Sequence, residues 1–321
     1  MKADNSNKPK APAPKKEEKE APLPETGPSS SKLRFPELPL KQAIGLPMAL
    51  LLISLLIIGY TFVTTGSPLH LGLDFKGGTL ITIKTDKSDE QLNAEFAKFP
   101  PKLITSGNNN AKSLQFGTMS SEELRELTSY VNKNYGNPPI EQVGGVFSQA
   151  NQGQAVIAVL VAFLGMAITV FIIFRNFVPS VAVITAAFAD IMFAMAMMDV
   201  FHVELTFGTF AALLMLIGYS VDTDILLTTK VLGERKYIDK KISSCRVTGL
   251  TMTFAAIVAF LVLFIFSTFS YLVGFSAIPV LSAIATVMIF GLIADVINTW
   301  FFNAGLLKWY MESPAGRAKY G

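Results

Sequence analysis

The chain has 321 residues, 51% of them hydrophobic and 16% charged, with a net charge of +3. Its apolar residues gather into blocks of about 20, the length that crosses a hydrocarbon core, which marks a polytopic membrane protein. Lysines and arginines stand scattered at the ends of those blocks, where they act as topology signals; they build no basic surface, so no nucleic-acid partner is expected.

Residues 1–31 are rich in Lys, Pro, Glu and Ala with almost no aliphatic bulk, and too little apolar surface is available there to offset the entropy of ordering. They are expected to form a disordered cytoplasmic tail. The first apolar block, 44–64, follows Lys32, Arg34 and Lys41. It is too long for the core of a signal peptide and has no small-x-small cleavage site, so it reads as an uncleaved first span.

Residues 65–151 have a water-soluble character. Strand text in "TLITIKTD" is followed by a helix from Ser88, then "KSLQFGTM", a second helix from Ser120, and "IEQVGGVF". Ser88 with Gln91 and Ser120 with Glu123 fit capping boxes. The order strand, helix, strand, helix, strand suggests a small α+β domain of ferredoxin-like type, lying outside the cytoplasm. Within it "SGNNNAKS" resembles a phosphate loop only superficially: Ala111 stands where a glycine must precede the lysine, and the spacing from Gly107 is one residue short.

Five more apolar blocks follow, at 155–174, 178–198, 205–227, 249–266 and 277–307, forming a five-helix bundle over 155–307 and leaving 308–321 as a cytoplasmic C-terminal tail. The last block is long enough to tilt or to run beyond the membrane. Arg175, the lysines of 230–241, Lys308, Arg317 and Lys319 mark one side, whereas the turns at 201–204 and 267–274 carry no Lys or Arg. Both termini are therefore expected in the cytoplasm of a multi-pass cell-membrane protein, with membrane lipid as its surroundings.

The single cysteine, Cys245, excludes an internal disulfide and has no Cys or His at metal-ligand spacing; it reads as core filler. His70 and His202 fall in short polar stretches and read as exposed loop histidines. No metal, cofactor or catalytic setting is expected, and the chain does not read as an enzyme.

Acids inside the apolar blocks need explanation, because a carboxylate near the bilayer centre costs about 2.5–3.5 kcal/mol even on the lenient insertion scale. In "GYSVDTDILLTTK", Asp222 shares a helical face with Ala211, Met215, Gly218 and Tyr219, while Asp224 points about 200° away. Small residues at Ala211 and Gly218 would let another helix approach the Asp222 side. Asp224, followed by Thr228, lies nearer the cytoplasmic end and is expected to reach the interface. Asp190 and Asp295 are further intramembrane acids, the latter one turn from Asn298. A buried Asp that alternately meets and loses a cation binds and releases a proton, and Arg246 is the candidate cation. Interhelical hydrogen bonding alone would also account for such acids, and a topology role would also account for Arg246.

"GLDFKGGT" places Gly72, Gly77 and Gly78 around Asp74 and Lys76, just before the first strand, where glycine permits close backbone approach or a plain turn. This motif after a first span, a compact external domain, five clustered spans and "GYSVDTDILLTT" together resemble the SecD/SecF family of protein-export membrane proteins, in the SecF branch of archaeal type, over residues 68–307. Phe75 resembles that branch, since the sister branch usually has leucine there. The resemblance implies the resistance-nodulation-division superfamily. It also implies a complex with SecD beside the Sec translocon channel, assisting an exported polypeptide with the proton gradient.

The family's fourth-span acid then carries over to Asp222 by the SecD-like pattern, with Asp224 second; bacterial SecF chains put it where this chain has Thr223. A family arginine early in the fifth span falls on Ser244, half a turn from Arg246. Two other functions remain open: a stand-alone superfamily exporter of lipids or small hydrophobic molecules, and a non-transporting assembly scaffold. Such exporters usually carry the six-span unit twice, whereas one unit implies a partner.

Overall fold

The computed structural model describes residues 40–107, 110–233, 237–270 and 278–320. The tail expected over 1–31 and residues 271–274 of the turn at 267–274 lie outside them.

Among the described residues six helical segments are long and apolar enough to cross a membrane, and the chain is a multi-pass membrane protein. The first is α1 (Leu40–Thr65). A four-residue helix, α2 (Leu73–Lys76), then leads into the sheet domain: β1 (Gly78–Lys84), α3 (Asp89–Glu95), β2 (Leu103–Ser106), β3 (Ala111–Phe116), α4 (Ser121–Tyr135) and β4 (Ile140–Val143). All pairings are antiparallel and the strand order is β2-β3-β1-β4. With the βαββαβ sequence, that order is the ferredoxin-like arrangement.

Both expected capping boxes are present, Ser88 with Gln91 and Ser120 with Glu123, each pairing side chain and backbone reciprocally. Ile81 and Ile83 alternate inward from β1, meeting Leu114 and Phe116 of β3 and Leu92 and Leu127 of the two helices. The fourth strand, β2, corrects the sequence reading. Of "SGNNNAKS", Ser106 ends β2 and Ala111–Ser113 begin β3, and Gly107 donates to the Ala111 carbonyl at 2.7 Å. The domain also ends earlier than residue 151: strand text stops at Val143, and "GGVF" opens the next helix.

That helix is α5 (Gly145–Phe174), followed by α6 (Phe177–Val200), α7 (Phe207–Gly233), α8 (Ile238–Phe269) and α9 (Pro279–Ile297). After α9 the helix does not simply lengthen. It passes through a π-helical turn at Asn298–Asn303 into α10 (Ala304–Glu312), and α11 (Pro314–Tyr320) completes a C-terminal segment that is helical. Of the most apolar stretch of each helix, 56% is buried in α6 and 50% in α7 against 6% in α5 and 11% in α8, so α6, α7 and α9 form the centre. Lys308 pairs with Asp239 at 2.7 Å and Lys319 reaches Asn176, which gathers the expected basic markers at one end of the bundle.

Candidate functional site

At the centre of the bundle, where lipid-facing chemistry gives no reason for polarity, three carboxyls converge. Asp190 of α6, Asp224 of α7 and Asp295 of α9 are 0%, 0% and 1% exposed. Their hydrogen bonds come from neutral donors. Ser220, one turn before Asp224, donates to Asp190 Oδ2 at 2.5 Å, and Asn298 donates to Asp190 Oδ1 at 2.6 Å. Thr299 reaches both Asp224 Oδ1, at 2.8 Å, and Asp295 Oδ1, at 3.1 Å. Asn303 adds a second donor to Asp224 Oδ1 at 2.8 Å.

Asn298, Thr299 and Asn303 all belong to the π turn, so one short irregular segment supplies donors to acids on three helices. Such turns occur mostly as single interruptions, often at functional sites. The second oxygens of Asp224 and Asp295 and the amide oxygen of Asn303 are buried without a hydrogen-bond partner. An ionised carboxylate only accepts, whereas a protonated one also donates, so uptake or loss of one proton here re-sorts the bonds of the whole group.

Asp224 therefore does not reach the interface as its place in the sequence suggests. Its side of α7 packs against α9 and the π turn, so nothing lets it extend to water. Asp222 lies on the opposite side, facing out of the bundle with Ala211, Met215, Gly218 and Tyr219. A Cβ added at Gly218 would meet nothing within 4 Å, so this face of α7 is open. Thr223 points in a third direction and is buried. Arg246 is half-buried on α8, and Cys245 beside it is fully buried in the apolar core.

The "GLDFKGGT" segment forms a second constellation, where the sheet domain meets the bundle. Asp74 Oδ2 accepts from the Phe207 backbone N–H at 2.8 Å, at the first residue of α7. Thr206 and Thr209 complete that helix start, each side chain accepting from the other's N–H at 3.3 and 2.8 Å. Leu71 bridges Leu205 in parallel, with Leu205 N–H to the His70 carbonyl at 2.7 Å and Gly72 N–H to the Leu205 carbonyl at 2.9 Å. Phe75 is 1% exposed, its ring edge-on to Phe207 and Phe210. Gly77 and Gly78 have φ of 71° and 129°, and a Cβ on Gly78 would collide with the Phe116 carbonyl, so here the motif does need glycine.

His70 is not a free loop histidine: its Nδ1 lies 3.1 Å from Asp199 Oδ1, and its ring stands edge-on to His202. Glu204, in the same turn, has its carboxyl pushed up by burial, with Lys76 and His70 pulling the other way. Sequence reasoning found every acid of the central cluster but missed Ser220, Thr299 and Asn303. The available signal was a Ser one turn from Asp224, and a Thr one turn from Asp295.

Comparison with known proteins agrees with this architecture. The family described as protein export membrane protein SecD/SecF, C-terminal, matches residues 123–313, and the SecD/SecF GG motif matches residues 62–89. The protein-export membrane protein SecF of Methanolacinia petrolearia is 41% identical over 85% of this chain and 94% of its own length. That of Haloferax volcanii is 40% identical over 84% and 92%. The crystal structure of SecDF, a translocon-associated membrane protein from Thermus thermophilus, shares the fold with a TM-score of 0.70 at 21% identity, over 85% of this chain but only 38% of that longer one. On the family match across most of its bundle and the identity to full-length relatives, the chain belongs to the SecD/SecF family of protein-export membrane proteins.

Proposed function

We propose that this chain is the SecF-type subunit of a SecD–SecF complex that assists Sec-translocon protein export across the cytoplasmic membrane with the proton gradient, without covalent chemistry. Its relatives carry the SecF name. The SecDF chain of like fold is more than twice as long, which supports a second chain supplying the remainder. The observation that carries the mechanism is the disposition of acids on α7: Asp222 on the open face with Gly218, Asp224 on the buried face among fixed donors.

In this reading the open face receives a SecD helix, and Asp222 exchanges its proton at that seam. Asp190, Asp224 and Asp295, tied by the π turn, make α6, α7 and α9 respond as one body. One charge crossing 100 mV corresponds to about 2.3 kcal/mol, enough to bias a domain movement. Arg246, in the third turn of α8, is the cation assigned to the relay. The basic end of the bundle lies in the cytoplasm with both termini, and the sheet domain lies outside. With Cys245 replaced, a cysteine at Lys133 is labelled from outside and one at Lys240 only from within; reversed labelling overturns the orientation.

The deciding assay is export in vesicles with and without an imposed gradient, at equal complex levels. Asp222→Asn keeps shape and hydrogen bonding and abolishes the gradient-dependent stimulation, while Asp224→Asn only reduces it. The unpartnered oxygens of Asp224 and Asp295 favour a second reading, with the proton held inside the cluster. Loss confined to position 224 selects that reading and removes Asp222 from the path. No loss at either position ends the proton assignment.

A further inference from the structure

Between the sheet domain and α7 there is almost no slack. β1 begins at Gly78, α2 ends at Lys76, and Gly77 alone separates them, its left-handed backbone and that of Gly78 pressed against the Phe116 carbonyl and the start of α5. A shift of β1 therefore carries α2 with it. The carbonyls of α2 are held from α5, by Asn151 to Asp74 O at 2.9 Å and Gln152 to Phe75 O at 2.5 Å. Among the described residues, its one side-chain hydrogen bond across to α7 is Asp74 Oδ2 with the Phe207 N–H, at 2.8 Å.

The bond falls on a group with no partner inside its own helix, the first free N–H of α7, and the carboxylate also complements the positive end of the helix dipole. α7 runs unbroken from Phe207 to Gly233 and contains both Asp222 and Asp224. A helix start fixed by a side chain from another domain shifts or rotates as that domain moves, because a continuous helix transmits displacement along its axis.

We propose that Asp74 is the positioning residue that couples the sheet domain to α7, so that a change at the α7 acids alters the sheet domain and the reverse. The proposal rests on the reading of those acids as the energised site, but its test does not use export.

The experiment is hydrogen exchange on the full chain in lipid nanodiscs, reading the β1 amides with Asp222→Asn and Asp224→Asn as perturbations. At least one of these changes β1 exchange by about threefold or more, the size of a modest coupling between linked sites. In an Asp74→Ala background that response disappears, even with β1 protection itself lowered throughout. Asp74→Asn, which keeps an acceptor oxygen for Phe207, restores it. A structural role alone would lower protection equally in every background and leave the response intact, so a response that persists in Asp74→Ala overturns the proposal. So does the absence of any response with Asp74 unchanged, whatever the export assay finds.

Discussion

The sheet domain and the bundle bury opposite things. In the sheet domain Ile81, Leu114 and Phe116 are at most 1% exposed, while Lys87–Glu95 and Lys112–Asp89 pair on the surface. In the bundle Asp190, Asp224, Asp295, Asn298 and Asn303 are inside, and Val156, Leu164, Ile172 and Phe254 are 61–68% exposed. One chain folds against two solvents. Water drives the domain's apolar groups inward at about 25 cal/mol per Å² of buried apolar surface. Lipid tails are as apolar as leucine and offer no such gain, so the bundle is held by close packing and interhelical hydrogen bonds. A polar group that would weaken the first core is adhesive in the second.

Phe116→Ala is the change that should separate the two regions most. It opens the apolar core of the sheet domain at a cost of about 3–5 kcal/mol. Hydrogen exchange should then show protection lost across β1–β3 and α4, with α6 and α9 as protected as before; equal loss in the bundle would mean that the two regions do not fold independently.

Asp224→Leu inverts the experiment, placing a good core residue where the bundle uses a polar one. It leaves the Asn303 amide short of an acceptor and Thr299 with Asp295 as its remaining one, for about 1–3 kcal/mol of destabilisation, although hydrophobicity rises. Asp222→Leu, on the open face, should stay within about 0.5 kcal/mol. Thermal aggregation in mild detergent compares them, and a stabilised Asp224→Leu chain would show that the cluster adds nothing to assembly. Thr299→Val is the finer cut: it keeps the volume but removes the hydroxyl shared by Asp224 and Asp295, and should cost about 1 kcal/mol in the same assay.

The smallest effect belongs to the water-facing surface. Burial pushes the Glu95 carboxyl up, but hydrogen bonds from Lys87, Tyr135 and Tyr130 outweigh it and hold the group below the ordinary glutamate range. Its stabilisation is present above the unfolded-state value and disappears as pH falls through the folded one. Tyrosine fluorescence of the full chain should report loosening of α3 and α4 in that acidic window, and Glu95→Gln should flatten the profile.

These contrasts also set what could be read in advance. The spans were legible because the membrane dictates composition over about 20 residues, and the helix starts at Ser88 and Ser120 because a capping box is complete within four residues. β2 was not: in "LITS" Ile104 alone packs on the core, so the edge strand has hardly any alternation to detect. The opposite directions of Asp222 and Asp224 follow from helical geometry, but which one faces inward does not, since both sides of α7 are written in apolar residues. The partner of Asp74 lies 133 positions away in the chain, beyond any local pattern. Asn298 and Asn303 stand five apart, which an α-helix would place about 140° from each other, so only a π turn brings both to the acids.

That turn also sets the phase of everything after it. Holding one more residue than an α-helical turn, it rotates α10 by about 100° relative to an uninterrupted continuation of α9. Leu307, Tyr310 and Met311 owe to this offset their place in the apolar core that also holds Val231 and Leu232 at the far end of α7, and Trp309 its outward position. Deleting a single residue within 298–303 would remove no anchor from α10 itself, yet would turn its seam toward the lipid like a screw cut one thread out of step.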